Sequence, residues 1–199
     1  MKNRVKIFVE GGADEKFFKD YLAFLGVSGC AIRVTNGKDG LFDEAIINEL
    51  KSNSDNGGVN LVFIDADDDF SKSKSVVLKN KGKYNVDFEM FLMPDNKSTG
   101  ALEDLLENII NNNNQPIFDC WHNYEDNLLK TKIQGRTKPL TIPAKKTKIY
   151  AYLEALLGKS KKEKEFIKER ARNYQNQEHW NLSSDYLNPL KFFLLNFCN

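Results

Sequence analysis

The 199-residue sequence predicts an α/β fold: a mainly parallel, Rossmann-like sheet flanked by helices, with an α-helical C-terminal extension. Three observations carry that prediction. Short apolar runs alternate with segments of helical period over roughly the first 110 residues, the pattern of βαβ units. Beyond them the strand signal fades while helical spacing continues. Leu61-Val62-Phe63-Ile64 reads as a central strand buried on both faces, and it runs straight into Asp65, Asp67, Asp68 and Asp69. Acids at the C-terminal end of such a strand lie where open α/β sheets bind ligands.

The elements follow in order. Val5 to Val9 is a first strand, broken by Glu10-Gly11-Gly12, and Asp14 is expected to N-cap the next helix. Phe17, Phe18, Tyr21, Leu22 and Leu25 give that helix one apolar face. Ala31 to Thr35 is a second strand; the turn Asn36-Gly37-Lys38-Asp39-Gly40 leads into a helix expected over 41–51. Leu61 to Asp65 is the third strand, and a short helix is expected around Ser75 to Asn80. Phe88 to Met93 is the fourth strand. Leu102, Leu105, Leu106, Ile109 and Ile110 then mark an amphipathic helix. Helices are expected over 117–129, 146–157, 161–172 and 185–196, the third charged and solvated. The division expected is an α/β domain over 1–112 and a helical, partly basic extension over 113–199 packed on it.

Charge separates along the same line. Residues 1–129 hold 14 Lys and Arg against 22 Asp and Glu, whereas residues 130–172 hold 14 against 4. A basic segment beside an acidic domain is the arrangement expected of a surface that meets nucleic acid, with Arg136, Lys145, Lys146 and Lys148 as its candidate contacts. The bland alternative is a solvated face. Cys30, Cys120 and Cys198 form no C-x-x-C spacing, so neither a disulfide framework nor a zinc site is predicted. No apolar run is long enough to span a bilayer, and a cytoplasmic protein without a membrane partner is expected.

In a parallel sheet the ends of strands one, three and four share an edge, which gathers Glu10, Asp65, Asp67 and the loop at Pro94. Asp14 follows Glu10 across the glycine turn, and Glu103-Asp104 open the helix after strand four. Carboxylates without His or Cys select Mg²⁺ or Mn²⁺ over zinc. An EF-hand loop counted from Asp65 fails, because positions six and twelve are Phe70 and Val76 rather than Gly and Glu. A receiver domain fails for want of an acidic pair after the first strand. Asp14 as a cap, Glu103 and Asp104 as first-turn helix acids, and Gly37 to Gly40 as a plain turn or phosphate cradle stay open. His122 and His179 lack ligand spacing and are read as surface or packing residues.

Val9-Glu10-Gly11 with Asp14, followed by Ile64-Asp65-Ala66-Asp67, resembles the Toprim domain of topoisomerases, primases and certain nucleases. Met93-Pro94-Asp95-Asn96 and Gly100 to Leu106 are similar to a Toprim-like group of small bacterial proteins and to the Toprim half of the overcoming-lysogenisation-defect (OLD) nucleases. The likeness covers about residues 4–110, with a weaker echo in the tail around Trp180-Asn181-Leu182 and Leu187-Asn188-Pro189-Leu190.

The resemblance implies a Toprim-like fold and metal-dependent phosphodiester hydrolysis on DNA or RNA by a nuclease or phosphohydrolase. In it, Glu10 is a metal ligand or general acid/base, and Asp65 and Asp67 are D-x-D ligands extended by Asp69. Asp14 and Glu103 are the further ligands of a site where two metals act together. A cation for the departing oxygen is still needed; Lys145, Lys146 and Lys148 are its candidates from the basic segment, with no positional match in the family. A protein partner in DNA repair or phage defence is implied as well. The rival expectation is a non-catalytic nucleic-acid-binding adaptor that retains the acids.

Overall fold

A computed structural model describes residues 5–158 and 160–198 of the chain. Four strands, β1 (Val5–Val9), β2 (Ala31–Val34), β3 (Val59–Asp65) and β4 (Glu89–Met93), form one sheet in the order β2-β1-β3-β4. All three pairings are parallel. The order reverses between β1 and β3, which makes that seam the topological switch point of the sheet.

The two faces are covered differently. Helices α2 (Glu44–Asp55) and α3 (Phe70–Tyr84) cover one face, where Phe8, Val62, Ile64 and Leu92 meet Ile46, Leu50 and Val77. The other face carries α1 (Gly12–Phe24) and α4 (Leu102–Asn108) together with the C-terminal segment. That segment contains α5 (Gln115–Lys130), α6 (Lys145–Leu157), α7 (Lys161–Glu165) and α8 (Asn188–Phe197). Phe193 of α8 packs its ring 5.6 Å from Phe63 and 5.4 Å from Phe91. Phe118, Ile149, Tyr152, Trp180 and Leu190 share one core with Ile7, Phe17, Phe63 and Leu105, so the extension completes this face of the sheet. Among the described residues no helix is long and apolar enough to cross a membrane.

Several boundaries differ from the sequence expectation for physical reasons. Gly11 takes the N-cap of α1, and Asp14 stands three residues inside, accepting the Gly11 N–H at 2.9 Å. A 3₁₀ turn (Gly40–Phe42) precedes α2, which therefore starts at Glu44. Helix α3 is much longer than the stretch around Ser75 to Asn80, because the Asp69 side chain caps it at 2.9 Å from the Lys72 N–H and Val77 anchors it to the sheet.

The continuous charged helix over 161–172 does not form. Helix α7 stops at Glu165, Ile167 and Arg172 turn inward, and a 3₁₀ turn (Glu169–Ala171) lies between them. Arg172 is 2% exposed; its Nε donates to the Ile167 carbonyl at 3.1 Å and its guanidinium lies 4.8 Å from the Tyr150 ring centroid. Burial of these two side chains outweighs the helix propensity of the surrounding lysines and glutamates.

Candidate carboxylate site

The parallel register brings the acids together. Val9 pairs with Phe63 and Asp65 with Met93, so the chain leaves β1, β3 and β4 on the same edge of the sheet. Glu10 follows β1 directly and its Oε1 accepts the Asp65 N–H at 2.8 Å across the switch point. Asp65 ends β3, and its Oδ1 accepts the Leu102 N–H at 3.2 Å, the first N–H of α4. A carboxylate in that position is favoured by the helix dipole. Asp14 and Glu103 stand in the first turns of α1 and α4, on either side of Asp65.

These groups are close enough to alter one another's ionisation. Burial, followed by repulsion from Asp14, Glu10, Glu103 and Asp67, pushes the Asp65 carboxyl up to about 8. Burial also pushes Asp14 up to about 7, with Glu10 and Glu103 adding to it against the Gly11 N–H bond. Glu10 is raised by burial as well, opposed by its bond from Asp65 and by the charge of Lys38. Three carboxyls driven toward their neutral forms mark a cluster short of positive charge.

Asp67 separates from this group despite its D-x-D spacing. Its backbone is left-handed (φ 52°) and is pinned to the loop before α4, donating to the Gly100 carbonyl at 2.9 Å and accepting from the Gly100 N–H at 2.7 Å. The turn swings its side chain outward, where it pairs with the Lys38 ammonium. Asp68 is exposed, and Asp69 is occupied as the cap of α3. Asp67, Asp68 and Asp69 line an open cavity of about 300 Å³ with Lys38, Lys72 and Ser73.

Lys38 was legible only as part of a glycine-rich turn. The turn is held rigidly. Gly37 (φ +96°) donates its N–H to the Glu10 carbonyl at 3.0 Å, and a Cβ on Gly40 would stand 1.8 Å from the Thr35 carbonyl oxygen. This fixes Lys38 beside Glu10, with Nζ also 3.2 Å from Ser73 Oγ.

The basic segment reaches the same edge from the other side. Lys145 and Lys146 open α6 and pair with Asp104 at 2.7 Å and Glu169 at 2.5 Å. Lys146 also lies within electrostatic reach of Glu103. Arg170 was not singled out by any motif; its guanidinium covers Gly12, where a Cβ would stand 2.9 Å from Nε. Two of the expected nucleic-acid contacts lie elsewhere. Lys148 is buried with Nζ 3.2 Å from Glu107 and 3.5 Å from Glu125, and His122 joins Glu107 at 3.0 Å. An ammonium so enclosed is a structural counter-ion rather than a phosphate contact. Arg136 sits in the exposed 131–144 loop, bonded to its own loop through the Lys138 carbonyl at 3.0 Å.

The donor chemistry of this edge fits a hard divalent cation: the acids supply oxygen alone, and the Lys38 ammonium already stands among them as a cation. Their present positions do not form a closed ligand shell. Among the described residues no three His, Cys, Asp or Glu side chains are grouped to hold one metal ion.

These features define a class: an α/β protein with a carboxylate-lined switch point and a helical segment that completes one face. The chain belongs to the family described as protein of unknown function (DUF3226), which matches residues 4–199 and so takes in both the sheet and the C-terminal segment. No curated protein and no solved structure matches the chain.

Proposed function

We propose that this is a Toprim-like protein carrying out Mg²⁺- or Mn²⁺-dependent phosphodiester hydrolysis on nucleic acid. The observation that carries the reading is the set of mutually repelling, partly buried carboxyls, Glu10, Asp14 and Asp65, at the switch point of a parallel sheet. Keeping such groups ionised together is costly without a cation, since two carboxylates 4 Å apart repel by about 4 kcal/mol at an effective dielectric near 20.

Glu10, Asp65, Asp14 and Glu103 would hold the cation, with Asp67 at the margin. Bound there, a divalent cation neutralises phosphate charge and activates water. Glu10 Oε1 and Asp65 Oδ1 are oriented by the backbone N–H groups of Asp65 and Leu102, which leaves each carboxylate a second oxygen for a ligand. Lys145 and Lys146 would attract the polyanion to this edge. Labelled single- and double-stranded DNA and RNA incubated in Mn²⁺ are expected to be cleaved by the wild type and left intact by Glu10→Ala. Cleavage retained in that variant would sink the reading.

A second reading has its own support. The Lys145 and Lys146 side chains stay 57% and 53% exposed at the head of α6, which suits an adaptor that binds nucleic acid through them without cleaving it. Salt-sensitive binding of the same oligonucleotides without cleavage in Mn²⁺ would establish it.

A further inference from the structure

The turn between β2 and α2 places a lysine where the carboxylate site meets solvent. The Lys38 side chain is 24% exposed, that of Asp67 62%. The ammonium binds the Asp67 carboxylate, donates to Ser73 Oγ at 3.2 Å and lowers the charge burden on Glu10. Ser73 in turn donates its hydroxyl to the Ala66 carbonyl at 2.9 Å, so the acceptor that steadies Lys38 is fixed to the end of β3. The lysine cannot easily drift. Its turn is locked by the Gly37 bond to Glu10 and by the contact that forces glycine at position 40.

Opposite charges compete for one carboxylate. Asp67 cannot give its full charge to a divalent cation while it neutralises an ammonium, and an arriving cation would be repelled by that ammonium at Glu10. We propose that Lys38 is the resident counter-cation of the carboxylate site, a positioning residue that holds Asp67 until a divalent cation displaces it. Lys38 thereby sets the cation concentration at which the site fills. This inference rests on the metal-binding reading above and makes a separate prediction from it: removing a positive charge from the site strengthens binding.

Titration calorimetry with Mn²⁺ on the full chain tests it. Lys38→Met is expected to bind Mn²⁺ about fivefold tighter than the wild type, the range of a partly exposed ion pair. Measured against Asp67→Asn, the gain should shrink in Lys38→Met/Asp67→Asn, because the contested carboxylate is gone and only the repulsion at Glu10 is relieved. Lys38→Gln serves as a second variant should the methionine protein not fold, and must show the same gain.

Mn²⁺ binding by Lys38→Met alone, with none by the wild type, would also support the inference. Equal or weaker affinity in the lysine variants, with wild-type binding that is lost in Asp65→Ala, would overturn the role of Lys38 and leave the metal site standing. Absence of binding in wild type and lysine variants alike would overturn both.

Discussion

The inner acids, Glu10, Asp14 and Asp65, and the outer acids, Asp67, Asp68 and Asp69, are the same chemistry in two environments. Asp65 and Asp67 are two residues apart, yet one is pushed up to about 8 while the other faces solvent and a lysine. The difference arises from the backbone. Asp65 is the last residue of a buried strand between two neighbours that each bring an acid, whereas the left-handed turn at Asp67 carries the chain out of the sheet. A run of carboxylates in sequence is therefore two sites in space, one buried and mutually repelling, the other open to solvent and engaged by Lys38 and the start of α3.

The largest expected consequence is functional. On the proposed nuclease reading, Asp65→Ala should lower Mn²⁺-dependent cleavage at least about 100-fold, the scale of removing a group that acts on developing charge, while Asp68→Ala should stay within about twofold. Comparable losses in both would erase the distinction between the two sets.

A second test uses pH. Asp65 and Asp14 hold protons in the folded chain, to about pH 8 and 7, that they release near 3.8 when unfolded. Their contribution favours folding fully below about pH 4 and is lost as pH rises toward 8, at up to about 1.4 kcal/mol per pH unit for each group. Thermal melts in EDTA between pH 5 and 8.5 should show stability falling across that window. Asp65→Asn should flatten the fall and melt higher than the wild type at pH 8, and Asp68→Asn should leave the slope unchanged.

The outer set has a structural role that the inner set lacks. Asp69→Ala should cost about 1 kcal/mol through loss of the α3 cap, lowering the melting temperature by about 2–4 °C without altering Mn²⁺ affinity. The smallest effect is expected from Lys145→Ala. Its exposed pair with Asp104 contributes less than about 1 kcal/mol to stability, so the change should be read in oligonucleotide affinity and its salt dependence.

Much of this edge was legible early. The strands expected over 5–9, 31–35, 61–65 and 88–93 fall within two residues of those observed, because largely apolar runs end at glycine, proline or acids, and a parallel sheet puts their ends on one side. That is why the sequence pattern alone pairs Glu10 with Asp65. Lys38, Arg170 and the burial of Lys148 were not legible, because each depends on a partner far away in sequence: Asp67, Gly12 and Glu107 respectively. The failed helix over 161–172 has the same origin. Its charges signal a solvated helix locally, and only the core beneath shows that Ile167 and Arg172 must turn inward.

The sequence by itself determined the α/β class, the parallel order of strand ends and the presence of acids on that edge, since hydrophobic period and glycine breaks act locally. Tertiary structure alone decided which acids repel, which lysines are spent in ion pairs and which cation stands at the mouth of the site. Those outcomes depend on distance and burial, and for Asp67 the left-handed backbone turn controls both.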